Sequence, residues 1–194
     1  TDLITRSTEI HPENDEVDLT AAQAFWKMEN GEHIQRVNRM LTRHELAPIY
    51  SVASNQNISV ENLRCDAPPS SMTNQPLVTV IMTVYGRDEY LDVAIESILN
   101  QTHQNIELIV VDDCSPDDAF EYLKERASGE PRLKAMQVEK NGGTYCAKNS
   151  AISVANGEYI AFMDSDDWTH PQRIERQLSA IQDTPFRAVC HSYF

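Results

Sequence analysis

Residues 77–113 read LVTVIMTVYGRDEYLDVAIESILNQTHQNIELIVVDD. The first eight are a nearly continuous apolar run rich in β-branched residues, the composition of a strand buried on both faces. The period then changes. Leu91, Ala94, Ile95, Ile98 and Leu99 stand at i, i+3, i+4, i+7 and i+8, the stripe of an amphipathic helix, with Asp88 placed to cap its start. A second apolar run begins at Ile106 and ends in Asp112 and Asp113. Strand, helix and strand joined by short loops make a parallel unit with a right-handed crossover.

The alternation continues to the end of the chain. Helices are expected over 116–128, 144–156 and 171–182, strands over 132–140 and 158–164, and a further strand starts in FRAVCHSYF, 186–194. The fold class expected is therefore α/β, an open and mainly parallel sheet with flanking helices.

Residues 1–75 differ. After the acidic lead-in HPENDEVD (11–18), helix formers dominate, and Gly31 separates expected helices at about 19–29 and 32–45. In the second, Ile34, Val37, Met40, Leu41 and His44 share one face, which is expected to pack on a neighbouring domain or subunit. His33 and His44 are read as surface or interface residues rather than metal ligands. CDAPPSSMTNQP (65–76) reads as a linker. The division expected is a helical extension with linker, 1–75, before an α/β domain, 76–194.

Composition narrows the function. Thirty acidic against 16 basic residues give a formal charge of −14, which argues against a general nucleic-acid binder and suits a host for divalent cations. No apolar run approaches the roughly 18–20 residues of a membrane span, and no signal-peptide pattern opens the chain. Cys65, Cys114, Cys146 and Cys190 form no CxxC pair and are read as buried free thiols of a reducing compartment. The Asn-x-Ser/Thr matches at Asn57 and Asn100 carry no weight in a protein read as cytoplasmic. The first residue is a threonine, and the chain is treated as a piece of a longer polypeptide.

In open α/β sheets ligands bind beyond the carboxyl ends of the strands. The residues there are Thr83, Tyr85, Gly86 and Arg87 after the first strand, and Asp112, Asp113, Cys114 and Ser115 after the second. Asn141, Gly142 and Gly143 follow the third, and Asp164, Ser165, Asp166 and Asp167 the fourth. Four polar strand ends on one edge make a site. It is not a dinucleotide fold of the usual type, because VYGRDEY holds one glycine where GxGxxG needs three, and no GxxxxGK[ST] occurs. Asp112–Asp113 resembles the acidic pair of response-regulator receivers, but it follows the second strand and no later acceptor aspartate matches. Carboxylates are hard ligands suited to Mg2+ or Mn2+. With i and i+2 on one side of an extended segment, Asp164 and Asp166 can share an ion that stabilises charge on a diphosphate leaving group. Asp167 is read as a cap for the helix that follows.

PLVTVIMTVYGRDEYLDVAIESILNQTHQNIELIVVDDCSPDD and EKNGGTYCAKNSAISVANGEYIAFMDSDDW together resemble the family 2 glycosyltransferases of the GT-A fold, over residues 76 to about 185. The resemblance implies an inverting transfer from a nucleotide-sugar donor, most often a UDP-sugar, to an acceptor hydroxyl, with Mn2+ or Mg2+. It implies that Thr83 and Tyr85 hold base and ribose, that Asp113 accepts a hydrogen bond from uracil, and that Asp112 fixes the turn beside it. Gly142 and Gly143 give close backbone approach, and Lys148, where arginine is commoner, reaches the base or diphosphate as a point charge. Asp164 and neighbouring Ser165 line the ribose and metal side, and Asp166 coordinates the metal.

In this family the general base lies in the acceptor-binding half, expected beyond Phe194. The chain is thus expected to be the donor-binding part of an enzyme of surface polysaccharide or glycoconjugate synthesis. Its place would be the cytoplasm or the inner face of the membrane, with a glycan acceptor as partner and residues 1–75 contacting other domains or subunits. A non-catalytic nucleotide-binding or assembly module is the alternative. A nucleotidyltransferase is the third reading, disfavoured by the lack of a glycine-rich basic first loop.

Overall fold

The computed structural model describes residue 15 and residues 32–52 and 59–182. The helix expected at about 19–29 and the strand expected at 186–194 lie outside them. The chain divides into two compact units, Thr1–Pro68 with Arg176–Phe194, and Pro69–Glu175. The composition of the sequence suggests a boundary slightly later, at 75/76.

In the first unit, α1 (Glu32–Arg43) ends where Glu45 turns left-handed, φ 57°. The Leu46 N–H then reaches back to the Leu41 carbonyl at 2.8 Å, which satisfies an orphan carbonyl of the last turn and stops the helix short of residue 45. The buried face differs from the expected stripe. Met40 and Leu41 are buried, but their companions are His33 and Arg36, whereas Ile34 and Val37 are only half-buried. His33 is therefore an interior residue, and burial holds its imidazole below the ordinary value. His44 does sit outside, with Nε2 2.6 Å from Asp15 Oδ2.

A small hairpin follows where the sequence reads only as irregular chain. β1 (Ile49–Ser51) pairs antiparallel with β2 (Leu63–Cys65), Tyr50 opposite Arg64. Asn38 ties α1 to β1, its Nδ2 donating to the Ile49 carbonyl and its Oδ1 accepting the Ile49 N–H, each at 2.8 Å.

The second unit is the expected open sheet. β3 (Val78–Val84) is followed by α2 (Leu91–Leu99), β4 (Ile106–Asp112), α3 (Ala119–Gly129), β5 (Leu133–Gln137), α4 (Thr144–Ile152) and β6 (Tyr159–Asp164). α5 (Arg173–Ile181) begins in this unit, which ends at Glu175. Four parallel strands stand in the order β5-β4-β3-β6. The chain steps outward from β3 through β4 to β5, then returns to lay β6 on the other side of β3. The crevice between β3 and β6 is thus the topological switch point, where open α/β sheets bind ligands.

β4 is buried along its whole length and β3 at every residue but Thr83. On one face, Ile81, Ile109 and Val111 pack with Ala147 and Ala151 of α4. The two alanines let the helix axis come close to the sheet. Burying each of the larger side chains contributes roughly 1.5–3 kcal/mol. Asp88 starts α2 as expected, its Oδ1 accepting the N–H groups of Tyr90 at 2.8 Å and Leu91 at 2.9 Å.

The helix expected over 144–156 stops at Ile152, because the residues after it are spent at the amino end of the sheet. Asn156 donates from its backbone N and its Nδ2 to the two oxygens of Glu107, at 2.9 and 2.7 Å. The Thr79 hydroxyl and Lys134 ammonium donate to the same carboxylate. Gly157 donates to Thr79 Oγ1 at 2.9 Å. Glu107 is 6% exposed, so a charge near the start of an apolar strand is tolerated only because this set of donors surrounds it.

Candidate functional site

Three strand ends build the site. Thr83 of β3 lies opposite Asp164 of β6, and Val84 opposite Asp112 of β4. The Asp113 N–H donates to the Val84 carbonyl at 2.8 Å, carrying the β3–β4 pairing one residue past the strands. Cys114 then turns left-handed at φ 61° and redirects the chain.

Asp112 is fully buried, and its carboxylate accepts from the Ser115 N–H at 3.2 Å, the Ser115 hydroxyl and Gln137 Nε2 at 2.8 Å. These donors tie Asp112 into the turn that follows β4. Ser115 Oγ also accepts the Gly86 N–H at 2.7 Å, and Asp117 Oδ2 accepts the Arg87 N–H at 2.8 Å. The loops after β3 and β4 are thereby locked together, while Tyr85 stands 62% exposed above them.

Asp113 is buried and points toward the glycine turn. Its Oδ1 accepts the Gly142 N–H at 3.0 Å and its Oδ2 the Gly143 N–H at 2.7 Å. Gly143, at φ +81°, supplies the left-handed step into α4 that a side chain would resist. A Cβ on Gly142 would meet Cys146 Cβ at 2.9 Å. Asp113 thus caps α4 from across the site, a favourable place for an anion at a helix N-terminus. Two lone pairs of its carboxylate stay open for a further donor.

α4 carries Lys148 to β6. Its Nζ lies 3.3 Å from Asp164 Oδ1 and 5.5 Å from the Phe162 ring centroid. The chain of contacts therefore runs from Thr83 across the sheet to Asp164, through Lys148 along α4 to Gly143, and back through Asp113 to β4. Asp164 and Asp166 are exposed and Ser165 is half-buried.

Asp167 departs from expectation. It lies six residues before α5 and does not cap it; its N–H closes a turn on the Asp164 carbonyl at 3.4 Å. Burial, with Asp166 and Asp164 alongside, pushes its carboxyl up, and Arg173 opposes the shift. The helix is delayed because the segment before it is held elsewhere. Gln101, fully buried, donates from Nε2 to the Ser97 carbonyl at 3.0 Å and the His170 carbonyl at 2.9 Å, and its Oε1 accepts the Ile174 N–H at 3.0 Å. The Thr102 N–H donates to the Pro171 carbonyl at 2.8 Å. Gln101 and Thr102 hold the segment between the aspartates and α5, and sequence reasoning misses them. The signal available is a polar Gln-Thr pair directly after an apolar helical stripe.

Among the described residues no group of three or more His, Cys, Asp or Glu side chains forms a metal cage. Two exposed carboxylates nonetheless fit Mg2+ or Mn2+ of the kind that takes one or two protein carboxylates and fills its shell with water and phosphate oxygens. The thiols correct another expectation: among the described residues all three cysteines are free, but Cys114 and Cys146 are exposed and Cys65 is half-buried.

The model of the family described as "Glycosyl transferase family 2" matches residues 79–194. The chain belongs to glycosyl transferase family 2. It is 37% identical over 113 residues to TuaG of Bacillus subtilis (strain 168), named for teichuronic acid biosynthesis, covering 58% of this chain and 45% of the relative. To the glycosyltransferase GlyG of Streptococcus pneumoniae serotype 4 it is 38% identical over 118 residues, 61% of this chain and 39% of the relative. The chain thus spans less than half the length of these relatives. Among solved structures, TarS 1-349 of S. aureus in complex with UDP-GlcNAc matches with TM-score 0.50 and 28% identity over 59% of this chain and 37% of that one. A Pyrobaculum calidifontis mannosyltransferase in complex with GDP-Man and Mn2+ matches with TM-score 0.52 at 24% identity, covering 58% and 34%, and supports the fold.

Proposed function

We propose that this chain provides the donor-binding part of a metal-dependent glycosyltransferase that uses a nucleotide-sugar, a UDP-sugar in first place, and transfers the sugar with inversion to a glycan or glycoconjugate hydroxyl. The observation that carries the reading is the ring of contacts at the switch point, in which Asp113, Lys148 and Asp164 are joined through α4 and the strand ends.

In this reading Tyr85 offers an exposed ring face to the base and Thr83 a hydroxyl to the nucleoside. Asp113 holds the glycine turn with two lone pairs and offers the others to the base. Lys148 is the cation nearest the diphosphate, and Asp164 and Asp166 would hold Mn2+ or Mg2+. A bound divalent ion stabilises negative charge on the departing nucleoside diphosphate. The proton of the attacking hydroxyl must go to a base. None of the donor-site residues named above takes that role, so transfer needs a base from outside this set. A cytoplasmic place, at the inner face of the membrane, belongs to the same proposal.

Calorimetry with UDP, GDP and their sugars, each with and without Mn2+, tests the reading. Mn2+-dependent binding of UDP, lost in Asp166→Ala, is the expected outcome. A folded chain with no nucleotide response would replace this reading with that of an assembly module.

A further inference from the structure

The aspartate cluster needs something to hold its shape when three carboxylates stand within four residues. Lys148 meets Asp164 from the front. Arg173 serves the other side. Its Nη2 donates to the Phe162 carbonyl at 2.8 Å, and its Nη1 lies 3.3 Å from Met163 Sδ. Phe162 and Met163 are the two residues directly before Asp164 in β6. The guanidinium is thus forked onto the backbone and side chain of the segment that delivers the aspartates, and its charge acts on Asp167 and Asp164. The carrier of this arginine is itself fixed, since Ile174 is buried and its N–H is held by Gln101.

We infer that Arg173 is a positioning residue for the Asp164–Asp166 segment, acting through its two-pronged grip on Phe162 and Met163 rather than through charge alone. The inference rests on the donor-site reading above. A planar fork can engage two acceptors at fixed angles, whereas a lysine ammonium offers a single compact charge with no such geometry. Among the described residues β6 has a strand neighbour on one side only, β3, so a grip from outside the ladder matters more here than it would on β4.

Two measurements on the full chain test this, with Arg173→Lys and Arg173→Met beside the unchanged protein. In amide hydrogen exchange, both variants should accelerate exchange in the peptide over residues 162–168 while leaving β4 as protected as before. In calorimetry, both should weaken Mn2+-dependent UDP binding about tenfold and leave UDP binding in EDTA unchanged. Wild-type exchange over 162–168 in Arg173→Lys overturns the fork, and its restoration by lysine alone assigns the role to charge. If the unchanged protein binds no UDP, the donor-site reading fails, and the exchange experiment still decides the positioning role.

Discussion

Lys148 Nζ and Asp164 Oδ1 stand 3.3 Å apart, joining α4 to the end of β6 across the site. Asp164 is 62% exposed at its side chain, so water screens the pair from that side although Lys148 is mostly covered, and the pair contributes roughly 0–1 kcal/mol to stability. Lys148→Met should therefore change the unfolding free energy by less than about 1 kcal/mol. Its effect on ligand should be larger, because the same ammonium is the one proposed above to meet the diphosphate. Mn2+-dependent UDP affinity is expected to fall about tenfold, near 1.4 kcal/mol, and to lose part of its salt dependence. Calorimetry at low and high salt reads both; unchanged affinity would remove Lys148 from the site.

Asp113 makes the complementary case, a site residue whose loss is felt in stability. Two glycine N–H groups at the start of α4 end on its carboxylate. Charge-assisted bonds of this kind contribute about 1.5–3 kcal/mol when buried, and less here because both glycines are exposed enough to recruit water. Asp113→Ala should cost about 1–2 kcal/mol in chemical denaturation, and Asp113→Asn, which keeps one acceptor oxygen, about half that. A loss equal to that of an exposed control such as Glu89→Ala would show that α4 does not depend on the cap.

The two cases mark what the sequence makes legible. β3 and β4 can be read because both their faces are buried, so nearly every residue is apolar, and α2 because its stripe repeats over nine residues. The strand ends follow from that, and with them Thr83, Asp113 and Asp164. The partners within the site do not follow. That Asp113 turns to Gly142 and Gly143, or that His33 rather than Ile34 faces inward, depends on contacts between segments far apart in sequence. The β1–β2 hairpin has three-residue strands, too short for any period to show. Proximity alone makes Asp167 look like a cap, and only the hold of Gln101 and Thr102 on residues 170–174 explains why α5 starts later.

Gly157 offers a sharper test of the packing beneath the site. A Cβ there would lie 2.4 Å from the Thr79 backbone N and 2.8 Å from the Tyr159 carbonyl oxygen, so backbone rather than a flexible side chain must yield. Gly157→Ala should destabilise by more than about 2 kcal/mol, the range of overpacked interiors. A Cβ added at Gly129, the end of α3, would meet nothing within 4 Å, and Gly129→Ala should be neutral or stabilising by up to about 1 kcal/mol. Thermal unfolding of the pair checks both signs; equal effects would show that the β3–β6 entry is not tightly packed.

Glu107 sets the pH dependence. Burial pushes its carboxyl up, but the Asn156 N–H, Lys134, Thr79 and the Asn156 amide outweigh it and hold the group at about 2 against an ordinary 4.5. The folded value is depressed, so the stabilisation is fully present above 4.5 and is lost as pH falls from there toward about 2. Glu130, held at about 2 chiefly by its hydrogen bonds with Arg132, adds to the same window, so the contribution of Glu107 is read by difference. Urea unfolding of the unchanged protein and of Glu107→Gln at about pH 6 and about pH 3 should show the gap between them narrowing as the solution is acidified. Glu107→Gln also leaves Lys134 without its carboxylate, so the variant should be the less stable at neutral pH. Two curves that stay parallel across the window would mean that Glu107 titrates alike in the folded and unfolded chain, and that the Thr79–Asn156–Lys134 donors do not hold it charged.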